Sequence, residues 1–142
     1  MRTPLKKAAT AMALAAAAFT AQFVSAAPAS AHPGADGYCG YREVCVYRLA
    51  NYIDMWADFF NADNDFSDDN LWFWDGVTYV RGSEMADNRA SSVQNFDTGC
   101  SAILWQLKEA GGINQVVYPS AALPNLANQG FDNKASSLSW SC

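Results

Sequence analysis

The sequence predicts an all-β sandwich assembled from two unequal copies of one unit. Three observations point there. Short β-prone runs alternate with turn residues, one polar heptapeptide recurs after 45 positions, and no segment carries a convincing helical apolar stripe. Runs of this length and spacing fit two packed antiparallel sheets.

The strand candidates, in order, are residues 44–49, 71–74, 77–80, 102–107 and 115–118, rich in Val, Ile, Leu, Tyr and Trp. Residues 52–60 are expected as a short turn of helix. Asp87-Asn88-Arg89-Ala90-Ser91-Ser92-Val93 returns as Asp132-Asn133-Lys134-Ala135-Ser136-Ser137-Leu138, with the basic and Ala fillers matched as well. After each copy the pattern alternates, Val93 then Asn95 and Leu138 then Trp140, as a strand would. Upstream, residues 44–47 correspond to residues 102–105. Each unit is therefore a strand, a hairpin, further strands and a polar turn leading into a last strand, over about 38–97 and 98–142. The stretch from Tyr47 to Asp87 spans 40 positions, against 27 from Trp105 to Asp132. The first unit thus carries an insertion of 13 residues, expected in the acidic stretch 58–75.

The leading segment stands apart. Arg2, Lys6 and Lys7 precede an uncharged, Ala-rich run over residues 8–24 and the small residues Ala29-Ser30-Ala31, the layout of a secretory signal peptide. Cleavage is expected after Ala31, with a second acceptable site around Ser25-Ala26-Ala27. The apolar run, broken by Thr10, Thr20 and Gln22, falls short of the ~20 residues a membrane span needs. Residues 1–31 are assigned to the signal peptide and 32–142 to one secreted domain, with no membrane attachment after processing.

Composition sets further bounds. Apolar residues make up 51% and charged residues 16% of the chain, which suits a globular domain. Residues 32–142 hold six basic and all fourteen acidic side chains, a net charge of −8 with His neutral. Such a surface repels phosphate backbones and anionic lipid, so nucleic acid and membrane are excluded as expected partners.

Four cysteines in an exported chain imply two disulfides. Metal ligation fits poorly, since no C-x2-C occurs and the only His is His32. Of three connectivities, Cys39 with Cys45 and Cys100 with Cys142 is favoured. The first closes a tight loop before a strand, and the second ties the chain end to the start of the second unit.

At the two heptapeptides the sequence resembles the βγ-crystallin superfamily, whose microbial members carry N/D-N/D-x-x-S/T-S once in each of two paired Greek-key motifs. The signal peptide, the early C-x5-C followed by Val46-Tyr47, and the terminal Ala135-Ser136-Ser137-Leu138-Ser139-Trp140 resemble, more narrowly, the small bacterial secreted peptidase-inhibitor family with this fold. The resemblance implies two Greek-key motifs in a βγ-crystallin-like sandwich. Two positions depart from it. An aromatic followed by Gly is usual in the first hairpin, where this chain has Tyr52-Ile53, and the second copy has Ala110 before Gly111-Gly112.

Calcium takes six to eight oxygen ligands, and each heptapeptide offers oxygens without nitrogen or sulfur ligands. The resemblance implies two Ca2+ sites built as a double clamp. Asn88 and Asn133 would give side-chain oxygens, Ser91 and Ser136 hydroxyls, and Arg89 and Lys134 backbone carbonyls. Asp87 and Asp132 would supply charge, and Ala90 and Ala135 would face the core. Without a cation, such segments close tight turns through side-chain to backbone bonds. The acidic run from Asp63 does not make an EF-hand, because Asp68 stands where Gly is needed and Trp74 where the bidentate Glu belongs. It reads as a solvated acidic loop.

No catalytic residue is assigned, since there is no G-x-S-x-G and a single terminal His supports no triad. The chain is expected to be a non-enzymatic secreted calcium-binding protein. By resemblance it would inhibit an extracellular peptidase of the metalloproteinase type. Phe59, Phe60 and Phe66 are the candidate anchors for such a partner, together with Trp72 and Trp74. The alternatives are a module binding carbohydrate or protein in the cell envelope, with Trp56, Trp72 and Trp74 as stacking platforms, and a purely structural protein stabilised by calcium.

Overall fold

The computed structural model describes residues 35–142, so the signal-peptide assignment and His32 lie outside the described residues. The first unit contains β1 (Val44–Leu49), β2 (Ile53–Phe59), β3 (Asn70–Trp74), β4 (Tyr79–Met85) and β5 (Ser92–Asn95). The second contains β6 (Ser101–Leu107), β7 (Gly111–Val117), β8 (Ala122–Leu123), a 3-10 helix (Leu126–Gln129) and β9 (Ser137–Ser141). They form two antiparallel sheets, ordered β4-β3-β2-β1-β5-β8 and β7-β6-β9. The all-β sandwich expected from the sequence is the observed fold.

Each unit opens with a hairpin and closes with a strand laid beside the first: β5 against β1, and β9 against β6. The segment between them crosses to the other unit's sheet. β8 pairs with β5 through Val93 and Leu123, and Asp63 bridges Leu138 of β9. These are Greek-key connections, and they exchange one segment in each direction. The units therefore share both sheets and one core.

Both opening hairpins turn through consecutive left-handed residues, Asn51 and Tyr52 in one, Glu109 and Ala110 in the other, followed by Asp54 and Gly112 at φ 74° and 77°. Tyr52 therefore aligns with Ala110 and Asp54 with Gly112. The aromatic of the first hairpin packs edge-on against Tyr47, with ring centroids 5.6 Å apart.

The core is built from inward positions of both sheets, among them Val44, Val46, Val93, Leu104, Val117 and Leu138, sealed by Phe66 and Phe131. Ala90 and Ala135 face it, as the resemblance implies.

Two expectations need correction. Residues 52–60 form strand β2 rather than a turn of helix. Met55, Ala57 and Phe59 point into the core at period two, a pattern hidden by the neighbouring aromatics. The additional length of the first unit overlaps residues 58–75 only in part, through β3, and it is strand rather than acidic loop. Asp58 belongs to β2, which the second unit matches with β7, and the added material is centred on the β3–β4 hairpin, which widens one sheet. Leu71 is buried and Phe73 packs against the core, whereas Trp72 and Trp74 face outward.

Candidate metal centre

The two heptapeptides form matching turns that lie against each other. Asn88 N donates to Ala135 O at 2.8 Å, and Asn133 N donates to Ala90 O at 2.9 Å. Asn88 and Asn133 have φ of 54° and 51°, a left-handed conformation that Asn tolerates better than most residues. The next anchors also match: Ser91 N donates to Tyr47 O and Ser136 N to Trp105 O, both at 2.8 Å. The predicted clamp residues are therefore brought together by backbone bonds across the pseudo-symmetric pair.

The side chains leave one acceptor open in each turn. Asn88 Nδ2 donates to Asp87 Oδ2 at 2.9 Å, and Asn133 Nδ2 to Asp132 Oδ2 at 3.1 Å. Asp87 Oδ1 and Asp132 Oδ1 are shut off from solvent and have no donor among the described residues. An unpaired carboxylate oxygen is costly to bury, and the same orphan recurs in both copies. Oxygens so placed suit a hard cation. Asn88, Ser91 and Asn133 line a cleft of about 320 Å³ with Arg48, Leu49 and Arg89. Glu84, on the added strand β4, takes Arg48 at 3.1 Å and Arg89 at 3.0 Å, and Asp54 takes Arg48 at 3.3 Å, so two carboxylates offset the two guanidinium groups at the rim of the cleft. Lys134 instead donates to Gly130 O at 2.7 Å.

Sequence reasoning missed the last Ser of each heptapeptide. Ser92 Oγ donates to Leu49 O at 2.6 Å and accepts from Tyr52 N at 3.0 Å. Ser137 Oγ donates to Leu107 O at 2.7 Å and accepts from Ala110 N at 3.1 Å. Each fully buried hydroxyl pins the strained hairpin of its own unit to the clamp turn. The repeated Ser-Ser pair was the available signal, but a metal reading claimed only its first member.

The acidic run is partly ordered. Lys108 donates to Asp65 at 2.7 Å, and this bond with those from Ser67 lowers the Asp65 pKa to about 2. Asp69, gathered with Asp63 and Asp68, is held well above the usual carboxylate range by burial and by its two acidic neighbours.

The candidate partner residues separate into two sets. Phe59 and Phe66 are buried and stacked at 4.5 Å between ring centroids, so their hydrophobic surface is spent on the core and they are not surface anchors. Phe60 is half-buried under Arg42. Trp72 lies beneath Arg81, and Trp74 is 54% exposed beside the hairpin tip, where Val77 is 83% exposed. Tyr79 collects Tyr38, Trp56 and Trp74 around it edge-on, at 4.9 to 5.4 Å. Both disulfides have the favoured pairing, Cys39–Cys45 and Cys100–Cys142.

Solved structures share this arrangement. One, from work on the evolution of the eye-lens βγ-crystallin domain fold, superposes with a TM-score of 0.57 at 17% identity, over 76% of this chain and 93% of that one. The chain has the βγ-crystallin fold. An archaeal βγ-crystallin matches it with a TM-score of 0.51 at 16% identity, over 72% of this chain and all of the other. No protein-family model matches the chain, and no curated protein matches its sequence. The likeness to these βγ-crystallin structures is one of fold, at 16–17% identity.

Proposed function

We propose that this is a secreted calcium-binding domain that acts on an extracellular peptidase as an inhibitor. The observation that carries the calcium reading is the pair of orphaned oxygens, Asp87 Oδ1 and Asp132 Oδ1, in turns locked to each other. Asn88, Asn133, Ser91, Ser136 and the carbonyls of Arg89 and Lys134 are the further ligands. Bound calcium would supply the positive charge the turns lack and hold the units together. Export is supported by the leader sequence and by two disulfides, which persist in oxidising compartments.

The inhibitor reading rests on the resemblance and on the added hairpin, whose exposed Trp74 and Val77 offer an apolar anchor at a narrow tip. A second reading is favoured by the cleft of about 250 Å³ lined by Tyr38, Tyr47, Tyr52, Trp56, Tyr79 and Asp54, where a sugar ring could stack. Calcium added to metal-free protein should raise its melting temperature, as a ligand at a hundred times its Kd stabilises by ~2.7 kcal/mol. Ser91→Ala with Ser136→Ala should remove most of that rise. A rise that survives the double substitution would sink the clamp reading. Failure to inhibit any metallo- or serine peptidase, with retention on cell-wall glycan, would replace the inhibitor reading by the second one.

A further inference from the structure

A second carboxylate group lies away from the clamp, where the entry segment meets β2. Asp36, Glu43 and Asp58 each place a carboxylate oxygen within 4.8 Å of the others. Asp58 is 3% and Glu43 7% exposed. One oxygen of each is already committed to a backbone amide. Asp58 Oδ2 accepts from Asp36 N at 2.9 Å and Gly37 N at 3.3 Å, Glu43 Oε2 from Gly40 N at 2.6 Å, and Asp36 Oδ1 from Tyr38 N at 2.9 Å. Asp58 Oδ1 is sealed from solvent and has no donor among the described residues. The nearest basic residue in sequence, Arg42, turns away, lying over Phe60 and facing Asp97.

We propose that Asp36, Glu43 and Asp58 form a calcium site separate from the clamp turns. Among the described residues none of the three forms a salt bridge, and the guanidinium nearest the entry segment, Arg81, donates to Ala35 O at 3.2 Å; carboxylates packed in this way repel one another in a poorly solvated place. Amides hold one oxygen of each carboxyl, and Asp58 Oδ1 is the buried oxygen that remains for an ion. Ca2+ takes six to eight oxygens in flexible geometry, whereas Mg2+ keeps several of its waters and is seldom held by an all-protein cage, so three clustered carboxylates suit Ca2+. Gly37, whose amide binds Asp58, and Tyr38 both line the aromatic cleft, so an ion here would fix one wall of that cleft. This site does not depend on the clamp reading.

Terbium(III), which replaces calcium and emits when a nearby indole is excited, gives the test on the full disulfide-bonded protein. Trp72 packs against Gly37, within 3.0 Å of where a Cβ would stand, next to the proposed ion. Tryptophan-sensitised emission should persist in Ser91→Ala with Ser136→Ala and disappear when Glu43→Gln and Asp58→Asn are added. Calorimetry with Ca2+ should show one ion fewer for Glu43→Gln with Asp58→Asn than for the native chain. The exposed Asp36→Asn should weaken binding at this site about tenfold and serves if the buried pair does not fold. At pH 8 the neutralised variants should melt higher than native protein when both are metal-free, since repulsion is relieved. An unchanged ion count in every one of these variants, or no sensitised emission from the folded Ser91→Ala/Ser136→Ala protein, overturns the site.

Discussion

Asn88 and Ser136, 48 positions apart, meet side chain to side chain, the Ser136 hydroxyl donating to Asn88 Oδ1 at 3.4 Å. The contact is long for a hydroxyl bond and lies between two groups proposed as calcium ligands. It joins the second turn to the first beside the reciprocal backbone bonds, so the units are coupled at the point where a cation would enter.

That coupling depends on hairpins held in place by Ser92 and Ser137. Ser92→Ala or Ser137→Ala should each destabilise the protein by about 1–2 kcal/mol, because a partly buried carbonyl and a partly buried amide lose their partner together. Urea unfolding measures this. A loss below a few tenths of a kcal/mol for both would show that the hairpins do not need the hydroxyls.

The disulfides should differ in weight. Cys100–Cys142 closes a separation of 42 residues and Cys39–Cys45 one of only 6. In the chain-entropy account the longer loop contributes ~4 kcal/mol and the shorter one less. Cys100→Ser with Cys142→Ser should therefore lower the melting temperature more than Cys39→Ser with Cys45→Ser. The reverse order would mean that the short bridge stabilises mainly by fixing the entry segment.

Metal-free protein should lose stability as pH rises from about 4 to 6. Burial, with the charge of Glu43, raises the Asp58 pKa from 3.8 to about 6, so across that window the folded chain holds a proton that the unfolded chain releases. Glu43 and Asp69, both also raised, act in the same sense. Asp65 acts oppositely, its contribution being lost only as pH falls below about 4 toward 2. Asp58→Asn should flatten the slope between pH 4 and 6 in thermal melts without calcium. An equal slope in that variant would assign the effect to the other carboxyls.

The hairpin tip offers the cleanest test of the partner surface. Deleting the β3–β4 hairpin wholesale would remove Leu71, which is buried, and Phe73, which packs against the core. Trp74→Ser with Val77→Ser changes only exposed side chains. It should leave the melting temperature within about 1 °C and weaken inhibition of the target peptidase at least thirtyfold, since a buried aromatic anchor carries about 2 kcal/mol or more. Unchanged inhibition would move the contact surface elsewhere.

The sequence by itself determined a good deal. β1 occupies the expected residues 44–49, and the repeated heptapeptide marks the two matching turns that bond to each other. The disulfide pairing was legible too, because one bridge is local and the other ties a terminus. These features are local or repeated, so their residues carry the signal themselves. Tertiary structure alone decided the rest. β2 was obscured because Trp56 interrupts an alternation that otherwise sets Met55, Ala57 and Phe59 against Asp54 and Asp58, and Phe59 and Phe66 read as anchors until packing placed them in the core. Ser92 and Ser137 act on hairpins some 40 and 27 residues away in sequence. Asp36, Glu43 and Asp58 come from an entry segment and a strand that only the packed chain brings together. Nothing in a residue's own neighbourhood encodes such meetings. They arise when burying apolar surface draws distant segments together and forces each enclosed polar group to find a partner or remain without one.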